Sequence, residues 1–133
     1  MSESRVDRIA VTGSTGAVGG RVARQLADAG APQLLLARTA SKAVGFAVLV
    51  PREITTEVLY LAVDPEMWGQ GVGRTLLEFI RRQSEHASQD LELWVIDDND
   101  RAVHTYERAG WTRTQDATVR NGSGRVERRY TLP

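Results

Sequence analysis

Apolar residues along the chain fall into two alternating patterns, short continuous runs and fourth-residue repeats. Ile9-Ala10-Val11 is a short run that breaks into Thr12-Gly-Ser-Thr-Gly-Ala-Val-Gly-Gly20, the pattern of a buried strand ending in a glycine-rich turn. Val18, Val22 and Leu26, with Ala23 and Ala27 beside them, predict a helix that Gly30 and Pro32 stop. Leu34 to Ala37 reads as a second strand, and strand, helix and strand in that order predict a right-handed unit with two parallel strands. Ala43 to Val50 and Glu57 to Val63 then read as a meander of strands. Asp64-Pro65 and glycines at 69, 71 and 73 lead into a helix with Val72, Leu76, Leu77 and Ile80 on one face. Leu91 to Ile96 is the next strand. Asn99 caps a helix carrying Ala102, Val103, Tyr106 and Ala109 inward, and strands at Trp111 to Val119 and Arg125 to Leu132 flank the turn signal Asn121-Gly-Ser-Gly124.

At 133 residues, this sequence of elements fits a single domain, residues 1–133, of the α/β class with one mixed sheet. Seventeen Lys plus Arg balance seventeen Asp plus Glu, which argues against a broad basic surface for nucleic acid. The absence of cysteine excludes disulfides, thiolate nucleophiles and Cys-based metal sites. No apolar run approaches the ~18–20 residues that cross a bilayer, so no membrane partner is expected and the default location is cytoplasmic. His86 and His104 have no second ligand at metal spacing, and no metal site is expected. The arginines from Arg120 to Arg129 read as a solvated face.

Two glycine loops carry the candidate chemistry. Gly13, Gly16 and Gly19 follow a strand and open a helix, where exposed amides and the helix dipole can meet a pyrophosphate. This segment, about residues 8–42, resembles the NADP-binding start of the atypical short-chain dehydrogenases/reductases. The resemblance implies that Arg38, just after the second strand, would meet the 2′-phosphate. The Tyr-x-x-x-Lys pair of that family is absent downstream, so its oxidoreductase chemistry is not expected. Structural packing of the strands and helix is the alternative for this stretch.

In the second loop, amides from about Gln70 through Gly71, Val72 and Gly73 to Arg74 can point at a diphosphate on the next helix, with the Arg74 charge in reach. Trp68-Gly-Gln-Gly71-Val-Gly73 resembles the acyl-CoA loop of the GNAT N-acetyltransferase superfamily, [Q/R]-x-x-G-x-[G/A], with Trp68 at the Gln/Arg position. Asn99-Asp-Arg-Ala102-Val-His-Thr-Tyr106-Glu-Arg-Ala-Gly110-Trp111 resembles that family's second signature, and the likeness covers about residues 44–133. It implies acetyl-CoA as cofactor and main-chain pairing of Leu61, Ala62 and Val63 with the pantetheine arm. It also implies Tyr106 as proton donor to the departing thiolate and Glu57 as base toward the amine. Asn99 is expected to cap its helix or orient the cofactor. A tyrosine packed inward and a solvated strand-end glutamate are the structural alternatives for Tyr106 and Glu57.

Together the halves read as a chimera: a GNAT-like segment, 43–133, preceded by a Rossmann-like βαβ segment, 1–42, in place of the family's usual opening, with an unusual N-terminal strand order. The expected activity is acetyl transfer from acetyl-CoA to a small-molecule or peptide amine, and a homodimer is an allowed assembly. The alternatives are a non-catalytic protein that binds CoA or NADP without turnover, and an NADP-dependent reductase remnant.

Overall fold

The computed structural model describes residues 8–12, 33–39, 42–119 and 124–133. Seven strands, β1 (Arg8–Thr12), β2 (Gln33–Thr39), β3 (Lys42–Pro51), β4 (Thr55–Val63), β5 (Asp90–Ile96), β6 (Thr112–Val119) and β7 (Val126–Leu132), form one sheet in the order β1-β2-β3-β4-β5-β7-β6. Two described helices, α1 (Val72–His86) and α2 (Asp100–Arg108), interrupt it. The fold is α/β with a single mixed sheet, as the alternation of patterns predicts.

The N-terminal strands depart from expectation. β1 pairs with β2 antiparallel, Ile9 opposite Ala37 and Val11 opposite Leu35, and the β1 to β4 order is consecutive. The parallel βαβ arrangement and the unusual strand order are therefore overturned. A helical stripe at Val18, Val22 and Leu26 predicts a helix but carries no information on the direction in which the chain re-enters the sheet; cross-strand pairing decides that. The predicted helix, Gly13, Gly16 and Gly19 lie outside the described residues, as do Arg120 and the turn at Asn121. Arg38 sits at an irregularity in β2, where the register against β3 shifts between Ala37 and Arg38.

The α1 stripe packs as its spacing predicts. Val72, Leu76, Leu77 and Ile80 are all buried, against Leu35, Ala47, Leu49 and Val58 of the sheet and Leu91 and Leu93 of β5. Each such side chain contributes about 1.5–3 kcal/mol by leaving water. The other face of β2 and β3 is apolar as well, with Leu34, Val48 and Val50 buried and Phe46, Leu59 and Tyr60 packed on them.

A feature of β4 positions everything that follows. Against β3, Val48 faces Tyr60 while Leu49 faces Val58, so Leu59 is an extra residue on β4. Such a bulge bends its strand and increases the twist. On its other edge β4 pairs with β5 in parallel only from Thr55 opposite Asp90 to Val58 opposite Leu93. Past that point β4 stays with β3 while β5 stays with β7, and the two central strands separate.

Helix α1 follows β4 closely because Gly45 leaves room. A Cβ there would lie 3.0 Å from the Ala62 carbonyl oxygen and 3.0 Å from a methyl of Val72. Gly45→Val is therefore expected to destabilise the protein by about 1–3 kcal/mol through overpacking. Urea unfolding measures this; an unchanged midpoint would show that α1 does not pack this tightly on β3.

Candidate cofactor site

The site begins where β4 ends. Asp64 accepts a hydrogen bond from the Glu66 amide at 3.0 Å and Pro65 starts a single 3-10 turn through Met67. The Trp68 amide donates to the Pro65 carbonyl at 3.2 Å, and the Trp68 indole N–H donates to the Val63 carbonyl at 3.0 Å. The Gln70 side chain donates to the Glu66 carbonyl at 3.3 Å, and its backbone N–H turns back toward the Met67 carbonyl at 3.4 Å. The loop is thus shaped by its own hydrogen bonds.

Gly71 takes φ of +86° at the N-cap of α1, a left-handed conformation that costs a residue with a Cβ roughly 1–2 kcal/mol. It offers no side-chain cap. The first amides of α1 have no acceptor within the helix, so with Gly71 at the cap they stay open to an outside acceptor. A Cβ on Gly71 would meet nothing within 4 Å, because this end of the helix faces open space.

That space is a cavity of about 570 Å³. Leu61, Ala62 and Val63 line one wall, Gly71, Val72, Gly73 and Arg74 the helix end, and Asn99, the N-cap of α2, and Tyr106 within α2 complete the set. The structure thus gathers nine of the residues singled out in the sequence. Gln70 and Glu57 are not in the lining, and Arg38 lies on β2, away from it. Asn99 acts as helix cap, its side-chain oxygen accepting from the Ala102 amide at 3.3 Å.

Glu57 is 3% exposed and its carboxylate is held by Arg52, with Nε at 2.9 Å and a terminal guanidinium nitrogen at 2.8 Å. A tight turn, in which the Arg52 amide donates to the Thr55 carbonyl at 2.8 Å, brings the two together. Val58 belongs to the core beneath α1, so alternation along β4 sends Glu57 to the opposite face of the sheet.

Tyr106 is partly buried, its ring 6.1 Å from that of Trp111 at a tilt of 59°. Loss of water contact pushes its hydroxyl up to about 12, so the phenol keeps its proton throughout the neutral range.

Sequence reasoning missed part of the lining. Trp68, Arg101, His104 and Arg108 also border the cavity, and among the described residues no aspartate or glutamate does. Arg101, His104 and Arg108 are three and then four residues apart, a single-face helical spacing that could have singled them out. Beyond residue 42, the described arginines at 52, 81, 82, 113, 125, 128 and 129 each pair with a carboxylate. Among the described residues Arg74, Arg101 and Arg108 have no such partner.

Known proteins share this architecture. A family model described as the Acetyltransferase (GNAT) family matches residues 14–111, starting well ahead of Val44 and inside the stretch read as a dinucleotide-fold opening. A mycothiol acetyltransferase of Propionibacterium freudenreichii subsp. shermanii is 46% identical over 57 residues, 42% of this chain and 18% of that protein, so the chain spans less than a fifth of the relative's length. The ribosomal-protein-S18-alanine N-acetyltransferase from Escherichia coli has a similar structure, with a TM-score of 0.75 and 19% identity over 95% of this chain and 94% of that one. A GNAT family acetyltransferase from Elizabethkingia anophelis, solved with acetyl-CoA bound, gives 0.74 at 18% identity over 95% and 98%. At such identities the two structures establish a shared fold.

The Tyr106 environment makes a prediction about alkaline stability. The native phenol holds its proton up to about pH 12 while the unfolded one releases it near pH 10, so its contribution is complete below pH 10 and is lost as pH rises to 12. Relative to Tyr106→Phe, the unsubstituted protein should lose up to about 1.4 kcal/mol per pH unit across that window. Parallel pH–stability curves for the two proteins would contradict the burial of the hydroxyl.

Proposed function

The chain belongs to the GNAT acetyltransferase family, and on that premise we propose that it transfers an acetyl group from acetyl-CoA to an amine of a small molecule or peptide. The observation that carries this reading is the cavity beside the end of β4, which reaches the uncapped amides of α1 and, among the described residues, has arginines but no carboxylate in its lining. A ligand with a long neutral arm and a polyanionic head fits both ends of such a space. Coenzyme A has that chemistry.

The residues present fit the group. Amides from Gly71 to Arg74 and the positive end of the α1 dipole would hold the diphosphate. The β4 edge at Leu61 and Ala62 would pair with the pantetheine amides in the manner of an added strand. The Val63 carbonyl already accepts from the Trp68 indole, which leaves the two residues before it as the more open stretch. Acetyl-CoA supplies an activated thioester, and in the net reaction the C–S bond breaks, a C–N bond forms and a proton passes from the amine to sulfur.

Tyr106 lines the cavity and carries its proton at neutral pH, which supports it as the donor of a hydrogen bond to charge developing on sulfur. A phenol near 12 is a weaker acid than an ordinary thiol near 8.5, so stabilisation by a hydrogen bond is its strongest contribution. Glu57, on the sheet face away from α1, is the proposed base toward an amine entering from that side. Its service there requires that Arg52 yield the carboxylate to a water or to the amine.

Calorimetric titration with acetyl-CoA, with NADPH as control, tests the binding half. Saturable heat with acetyl-CoA and none with NADPH is expected, because a βαβ dinucleotide platform needs parallel strands and β1 and β2 run antiparallel. Binding of NADPH alone would overturn the reading. A thiol-release assay with a panel of amines tests turnover: Tyr106→Phe should lower kcat about 10-fold or more while leaving acetyl-CoA affinity within about 2-fold. Undiminished kcat would remove Tyr106 from the chemistry, and binding without thiol release for any amine would favour a non-catalytic binder.

A further inference from the structure

Arg101 has an unusual setting. Its guanidinium lies 4.3 Å from the centre of the Trp68 ring, and Trp68 is itself fixed by its indole hydrogen bond to Val63 at 3.0 Å. The contact bridges the loop after β4 and the first turn of α2. Trp68 is 49% exposed, so the pair stands at the solvent side of the cavity that both residues line.

Electrostatics leave the charge on Arg101 unanswered. No carboxylate pairs with it among the described residues, and it occupies the first turn of a helix, where the dipole disfavours a cation. A cation kept against that field, held over an aromatic ring and bordering a cavity with no carboxylate among its described lining residues, is poised for an incoming anion. Stacking on Trp68 restricts the rotamers of a long side chain, so less freedom is lost when the anion arrives.

Position along α2 sets Arg101 away from the reacting end. Tyr106, at the reacting end, is five residues further along the helix, about 7.5 Å along its axis. The diphosphate is already assigned to the α1 amides on a different element. The remaining anionic group of coenzyme A is the ribose 3′-phosphate at its nucleotide end. Resting on the reading of the cavity as an acetyl-CoA site, we propose that Arg101, held on Trp68, binds that 3′-phosphate and makes the protein select coenzyme A over its dephospho form. Arg101 is then a specificity-determining residue, and Trp68 positions it.

Dissociation constants for CoA and dephospho-CoA, measured by calorimetry, test this directly. The unsubstituted protein should prefer CoA by on the order of 10-fold or more, as a charge-assisted contact requires. Arg101→Ala should bring the ratio of the two constants close to one by weakening CoA alone. Trp68→Leu, which keeps an apolar side chain but removes the ring, should lower the ratio about 2- to 5-fold. Arg82→Ala, on α1 and outside the cavity, should leave the ratio unchanged. An equal weakening of both ligands by Arg101→Ala would overturn the proposal and place the arginine at the diphosphate. An unaltered ratio would overturn it as well. Should the unsubstituted protein bind neither ligand, the acetyl-CoA reading fails first and the inference with it.

Discussion

The separation of β4 from β5 governs the whole arrangement. One extra residue, Leu59, bends β4 just where its parallel pairing ends at Val58 opposite Leu93. Without that bend the two strands would pair to their ends and fill the space with backbone hydrogen bonds. With it, an edge of β4 stays unpaired beyond Val58, α2 brings Tyr106 to the cavity beside that edge, and the loop after Val63 turns back to start α1. An unpaired edge is ordinarily a hazard because it invites another strand. Here the open stretch of β4, Leu61 to Val63, borders the cavity.

Charge distribution reinforces that geometry. The chain is neutral overall, yet its described arginines beyond residue 42 divide into two groups. One group is tied to carboxylates along α1 and across β5, β6 and β7: Arg81 with Glu78 and Glu85, Arg128 with Asp97, and Arg129 with Glu92 and Asp116. The pairing holds the Asp97 and Glu78 carboxyls below their usual range. The other group, Arg74, Arg101 and Arg108, borders the cavity. Neutralising the first set internally leaves a local field at the second, so a protein with no net charge can still attract a polyanion.

Much of this was legible in the sequence. The stripe of Val72, Leu76, Leu77 and Ile80 names its own core face, and Asn99 announces a cap that the structure places at the head of α2. Glycine at 71 followed by a helical repeat specifies an uncapped helix start. Tyr106 was found through its place in a family signature, which the amphipathic pattern alone would have read as packing. What escaped was non-local or ambiguous. The direction of β1 depends on pairing with β2, which no stretch of residues before Gln33 encodes. Arg101, His104 and Arg108 share a helix face with regular spacing, but a polar face reads as solvent until a cavity is known to lie beside it. Trp68 registered only as a departure from a motif; its hydrogen bond to Val63 and its contact with Arg101 need three dimensions. Glu57 looked like an exposed strand end, and the tight turn after Pro51 that delivers Arg52 to it is invisible to strand periodicity.

The claim on which the functional reading stands is that amides at the start of α1 seat the cofactor diphosphate. Amide chemical shifts followed by NMR during titration with CoA measure this residue by residue. The largest saturable changes should fall on Gly71, Val72, Gly73 and Arg74, with further changes at Leu61 and Ala62. Changes confined to Gly13 through Gly19, or to surfaces away from the β4–β5 gap, would contradict it.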